Sequence, residues 1–114
     1  MEINLFYEDG ILDIHIHGEL DANSSIELDE VIKNALKEGK TRIVVNCQHL
    51  RYISSAGLGV FISHLDDLSR QNGRFIFCNM NDSVFQVFKI LGLTDIMTIT
   101  DNEAKAKTMM RNES

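Results

Sequence analysis

Hydrophobic and polar residues alternate most cleanly over residues 11–18, where Leu12, Ile14 and Ile16 fall on one side and Asp13, His15 and His17 on the other. A period of two is that of a strand with one face in the core and the other in water. Ile3-Asn4-Leu5-Phe6-Tyr7 alternates more loosely before it, and Glu8-Asp9-Gly10 between the two runs predicts a hairpin turn. The period then changes. Leu28, Val31, Ile32, Ala35 and Leu36 recur at three and four residues, the spacing of one buried helical stripe. Ser24 with Glu27 fits a capping box for that helix, Asn23 is an alternative cap, and Gly39 suits the left-handed position after its end.

Residues 42–47 form a continuous apolar run, as expected of a central strand covered on both faces. After the connection at 48–51 comes Tyr52-Ile53-Ser54-Ser55-Ala56-Gly57-Leu58-Gly59. Two hydroxyls stand at the start of a helix whose buried stripe reads Leu58, Phe61, Ile62, Leu65 and Leu68, and Ala56, Gly57 and Gly59 keep its first turn low. Asn72-Gly73 stops it. Residues 74–78 make a fourth strand. Asn81 or Asp82 then caps a third helix with Val84, Val87, Phe88 and Leu91 buried, Phe85 off the stripe and Gly92 at its end. Residues 96–100 give a last strand, and Asp101 caps a tail helix through Ala104 and Met109 that frays over 111–114.

The predicted order is β-β-α-β-α-β-α-β-α. That is an α/β fold: a mixed sheet of about five strands, later strands joined by right-handed crossovers, helices packed against it. A length of 114 residues suits one domain over 1–114, and 44% hydrophobic residues allow a packed interior. A net charge of −6 with no cluster of Lys or Arg speaks against nucleic acid or an anionic membrane as the main partner. Cys47 and Cys78 lie in apolar runs without metal-ligand spacing, and buried free thiols are expected. With no apolar run near 18 residues, a cytoplasmic protein is expected, and the small acidic chain fits a monomer.

Chemistry is harder to build. His15 and His17 share one strand face, but no third ligand is evident, so that face is expected to be solvated and no metal is expected. No phosphate-cradling glycine loop with its lysine occurs, no G-x-S-x-G elbow surrounds Ser55, and the third strand ends in Asn46 rather than an acidic cluster. Neither an enzyme nor a cofactor is expected. A hydroxyl at a helix start is nevertheless a good place for a phosphate, because free amides and the helix dipole both favour negative charge there.

The element order, the Gly18-Glu19-Leu20-Asp21 loop, the Tyr52-to-Leu58 run and Gly92-Leu93-Thr94-Asp95 together resemble the STAS domain of bacterial anti-sigma factor antagonists, over nearly the whole chain. The resemblance implies a binding module in a partner-switching circuit. The unphosphorylated antagonist binds an anti-sigma factor that is also a serine kinase, phosphorylation at the start of the second helix dissociates the pair, and a serine phosphatase resets it. Many members have Asp-Ser-Ser-Gly where this chain has Ile53-Ser54-Ser55-Ala56-Gly57. Matching the serine pair makes Ser55 the phosphoacceptor, with Ser54 as the alternative. Asp21 and Asn23 would neighbour the acceptor, and Tyr52, Ser54, Ala56, Gly57 and Leu58 would help line the partner surface. A STAS scaffold that docks on a larger sensor or transporter without phosphorylation is the alternative role.

Overall fold

Asp9 and Gly10 take φ of 56° and 75° in the computed structural model, which describes residues 1–112. That pair of left-handed residues is the type I′ turn whose twist matches two antiparallel strands. It joins β1 (Glu2–Glu8) to β2 (Ile11–Leu20) in a register running from Glu8↔Ile11 to Glu2↔His17. α1 (Ala22–Lys37) follows and ends at Gly39 with φ 75°, as its position after the helix led one to expect. β3 (Arg42–Asn46) and β5 (Arg74–Cys78) pair in parallel as adjacent central strands, and β6 (Thr98–Thr100) closes the far edge.

The sheet has six strands rather than five. β2 is long enough to hold two parallel partners end to end: β3 against Leu12–His15 and β4 (Leu50–Ile53) against Gly18–Leu20. Residues 50–53 carry no clean alternation, so nothing local announced β4; its place comes from β2, beside which β3 has stopped. Gly18, at φ 104°, stands at a register shift within the pairing of β2 with β4, where Gly18 faces Leu50 and Glu19 faces Tyr52, and its amide donates to the His49 carbonyl.

Four helices pack on one face. α1 lies beside α2 (Ser55–Ser63), α3 (Leu65–Arg70) follows, and α4 (Asp82–Ile90) is capped by Asn81, whose side chain also donates to the Leu50 carbonyl. Beneath them Leu12, Ile14, Ile16, Val45 and Phe77 meet Leu28, Ile32, Leu58, Phe61 and Phe88 in one core. Phe61, Phe75, Phe77 and Phe88 form an edge-to-face chain, with Phe61 and Phe77 ring centres 4.9 Å apart. The expected second helix is broken at His64. That residue is buried and reaches across to Asp29 of α1 at 2.7 Å, while Ile62, expected in the stripe, is exposed. Leu91 is likewise exposed, because α4 stops one residue short of it and the chain turns through Gly92 into the 3₁₀ turn Leu93–Asp95.

The other face is the main departure from expectation. It is only partly solvated: Asp13 is 3% exposed, and His15 and His17 are half-buried. α5 (Glu103–Arg111) lies across it, capped by Asn102 rather than Asp101, and seats Ala106 and Met110 on Ile11, Val44, Ile76 and Cys78. The helix runs through Ala104 and Met109 as expected, and both face out. Arg42 donates to the Met110 carbonyl and so ties down the last turn. The expected fraying covers 111–114, of which 113–114 lie outside the described residues. Cys47 and Cys78 are buried free thiols, and burial pushes both up, Cys78 to about 12, which favours the protonated thiol. Among the described residues no helix is long and apolar enough to cross a membrane.

Candidate functional site

Leu20 and Ile53 are register partners at the ends of two parallel strands, so the helices that follow them start side by side. The Ser54 amide donates to the Leu20 carbonyl at 2.9 Å, which locks the Asp21 loop to the serine turn. Two helix N-termini, each with its free amides, therefore open at the same end of the sheet.

The caps are not those the sequence suggested for α1. Asp21 is the N-cap: its carboxylate accepts from the Ser24 amide at 3.0 Å, and Ser24 Oγ accepts from the Asp21 amide at 2.8 Å. Ser24 thus serves as the third residue of the box, so Glu27 has no part in it and Asn23 lies inside the helix. The Ser24 bonds also hold Asp21 below the usual aspartate value.

At α2 the two serines divide the work. Ser54 is the N-cap, and its hydroxyl accepts from the Gly57 amide at 3.2 Å. Ser55 is the first helical residue and is exposed, as are Tyr52 before it and Ala56 after it. The structure thus brings Asp21, Asn23, Tyr52, Ser54, Ser55 and Ala56 to one end of the molecule. Asp21 and Asn23 line an open depression of about 500 Å³ there, with Glu19 and Arg51 in its wall.

Gly57 and Leu58, which the family resemblance placed on the partner surface, face inward, Leu58 as its place in the buried stripe predicts. Leu58 is buried in the core, and a Cβ built on Gly57 would stand 2.7 Å from Leu20 Cγ and 3.1 Å from Ile53 Cγ1. Gly57 is small so that α2 can sit on the strand ends, and it is Gly59 that leaves open space outside. Ile62, one turn along α2, and Ile26, near the start of α1, add exposed apolar side chains that the stripe rule placed inside or passed over. Behind the site, His64 joins α2 to α1 through Asp29, which Lys33 also contacts at 3.1 Å. The His64 bond, followed by that of Lys33, holds Asp29 below its ordinary value. No local pattern pairs His64 with a residue 35 positions earlier.

A six-stranded mixed sheet with a capped serine helix beside a second helix start defines a small α/β domain. The chain belongs to the STAS domain family, whose sequence pattern matches residues 2–106. It is 30% identical over 112 residues to the anti-sigma F factor antagonist of Paenibacillus polymyxa, a match covering 95% of this chain and 93% of that one. In fold it is similar to a crystal structure of a candidate anti-sigma factor antagonist from Thermotoga maritima, with TM-score 0.91 and 22% identity over 96% of this chain and 95% of that one. The Bacillus cell fate determinant SpoIIAA in its phosphorylated form is similar at TM-score 0.75 and 25% identity, over 95% and 98% of the two chains.

Proposed function

We propose that this chain is an anti-sigma factor antagonist in a partner-switching circuit, with residues 1–114 acting as one module in the cytoplasm. Unphosphorylated, it binds an anti-sigma factor that is also a serine kinase; phosphorylation of Ser55 releases it, and a serine phosphatase restores it. The chain is then the substrate and not the catalyst. The observation that carries this reading is the division between the serines: the Ser54 hydroxyl is engaged on Gly57, and Ser55 is exposed at a helix start that lies beside a second one.

A phosphoserine adds about −1.5 to −2 charge at neutral pH. Within the chain, the nearby amides of α1 and α2 temper that charge. In a partner interface the same group must be stripped of water against whatever had fitted Ser55, Ala56 and Tyr52. Truncating or unpairing one buried charge in an interface costs roughly 2–5 kcal/mol. Binding is therefore lost while the fold stays. That SpoIIAA keeps this fold in its phosphorylated form supports the second half of the statement.

Incubation with the partner serine kinase and ATP, followed by mass spectrometry, tests the proposal. Phosphate is expected on Ser55 in the parent chain and in Ser54→Ala, and none in Ser55→Ala. The phosphorylated chain is expected to give an unchanged circular dichroism spectrum and no kinase binding. Phosphate on neither serine, with binding intact, would instead favour a docking scaffold that works without modification.

A further inference from the structure

Beneath the first turn of α5, three side chains converge on one point from positions far apart in the chain. His15 Nε2 stands 2.9 Å from Glu103 Oε1 and 3.1 Å from Asp13 Oδ2, and one ligand atom from each residue lies within 4.8 Å of the others. Ligands bound to one transition-metal ion at about 2.0–2.2 Å stand about 3 Å apart around it, so the spacing already suits an ion. The strand contributes two donors on one face and the helix the third. The Asn46 amide donates to Glu103 Oε1 at 3.0 Å and fixes that carboxylate from behind, as outer-shell donors do at metal sites. The Phe6 ring, its centre 5.1 Å from that of the imidazole and steeply inclined to it, limits how His15 can turn.

Two observations show the cluster is not complete as protein alone. Asp13 is 3% exposed, yet its Oδ1 has no hydrogen-bond partner. A buried carboxylate oxygen left in that condition is costly. Second, the Asp13 and Glu103 carboxyls share one ammonium, that of Lys107, 3.2 Å from Asp13 and 3.5 Å from Glu103. The Lys107 side chain is 32% exposed, so its ammonium has a path into water. Removing it leaves two carboxylates and one imidazole, a set whose charge a divalent ion balances.

We propose that Asp13, His15 and Glu103 form a binding site for a divalent transition-metal ion of the zinc, cobalt or nickel kind, with Lys107 as its displaceable competitor. The imidazole nitrogen favours these ions over magnesium and calcium, which prefer all-oxygen shells. Because two ligands belong to β2 and the third to α5, the bound ion cross-links the sheet to a helix 88 residues later in sequence. It binds the folded chain and not the unfolded one, so it stabilises the fold by mass action.

Titration of the whole chain with Co²⁺, read by its visible absorption, and with Zn²⁺, read by calorimetry, tests this. One equivalent is expected to bind and to raise the melting temperature. His15→Gln and Glu103→Gln are each expected to weaken binding by about tenfold or more, Lys107→Met to tighten it, and His49→Gln to leave it unchanged. In the unaltered chain, substoichiometric Ni²⁺ should broaden the NMR signals of Asp13, His15 and Glu103 before those of His17 and His49, whatever the variants do to folding. Absence of saturable binding in the parent chain would overturn the proposal. So would unchanged affinity in both Gln variants, or broadening centred on His17 and His49.

Discussion

The two faces of the sheet hold their helices by different physics. On one, four helices lie on a continuous apolar floor running from Leu12 to Phe88, and the aromatic chain at its centre is fully enclosed. On the other, α5 seats Ala106 and Met110 on four buried residues of the sheet, and the rest of its attachment is polar: His15 and Asn46 to Glu103, Lys107 to Asp13, Arg42 to the Met110 carbonyl. Burial of apolar area is non-directional and tolerant, whereas polar attachment demands particular partners and can be altered by one proton or ion. Robust folding and adjustable attachment are thus separated onto opposite sides of one sheet. The serine turn sits at an end of the sheet on the robust side, where the proposed phosphate on Ser55 would meet a rigid support.

The comparison is most directly broken at its two cores. Phe77→Ala removes the centre of the aromatic chain and is expected to cost about 3–5 kcal/mol in urea unfolding, with every element losing hydrogen-exchange protection together. Met110→Ala removes the largest apolar anchor of α5 and is expected to cost about 2 kcal/mol. Its hydrogen-exchange signature should be release of α5 while β3, β5 and α2 stay protected. If Met110→Ala instead exposes all elements equally, the two faces are one cooperative unit.

Gly57→Ala sharpens the comparison on the robust side. The added methyl falls 2.7 Å from Leu20 Cγ, so the chain must shift, at an expected cost of about 1–2 kcal/mol. Gly59→Ala, with open space outside, is expected to change unfolding by less than about 0.5 kcal/mol. The smallest effect concerns Asp29. Its folded value is depressed, chiefly by His64, so its stabilising contribution is full above the ordinary value of 3.8 and is lost as pH falls through the depressed one. Asp29→Asn should therefore melt below the parent chain at pH 6, and the gap should close as the pH drops below that ordinary value. A gap that stays constant to pH 2 would mean the pair contributes by shape alone.

Much of this was legible along the chain, and the failures share a cause. The turn at Asp9-Gly10, the end of α1 at Gly39 and the cap of α4 at Asn81 were read correctly because each is a local matter of backbone conformation or a bond three residues away. The Asp21 box was missed because Asp21 and Ser24 satisfy each other in a pattern that lacks the usual Glu. β4 was missed because its partner is the far end of β2, and Ile62 was misplaced because the helix breaks at a histidine whose reason for burial lies on α1. The polar face of β2 was read as solvated, since alternation tells one face from the other without revealing what will cover either.

The amino-acid sequence alone determined the class of fold, the helix–strand order of most elements, the apolar core and the serine turn, because periodicity, caps and turns act within a few residues. Only the tertiary structure decided that the starts of α1 and α2 adjoin, that Ser54 is engaged while Ser55 is exposed, and that Glu103 meets His15. Those outcomes depend on strand register and helix placement, which are set by the packing of the whole chain and leave no mark in any short stretch of it.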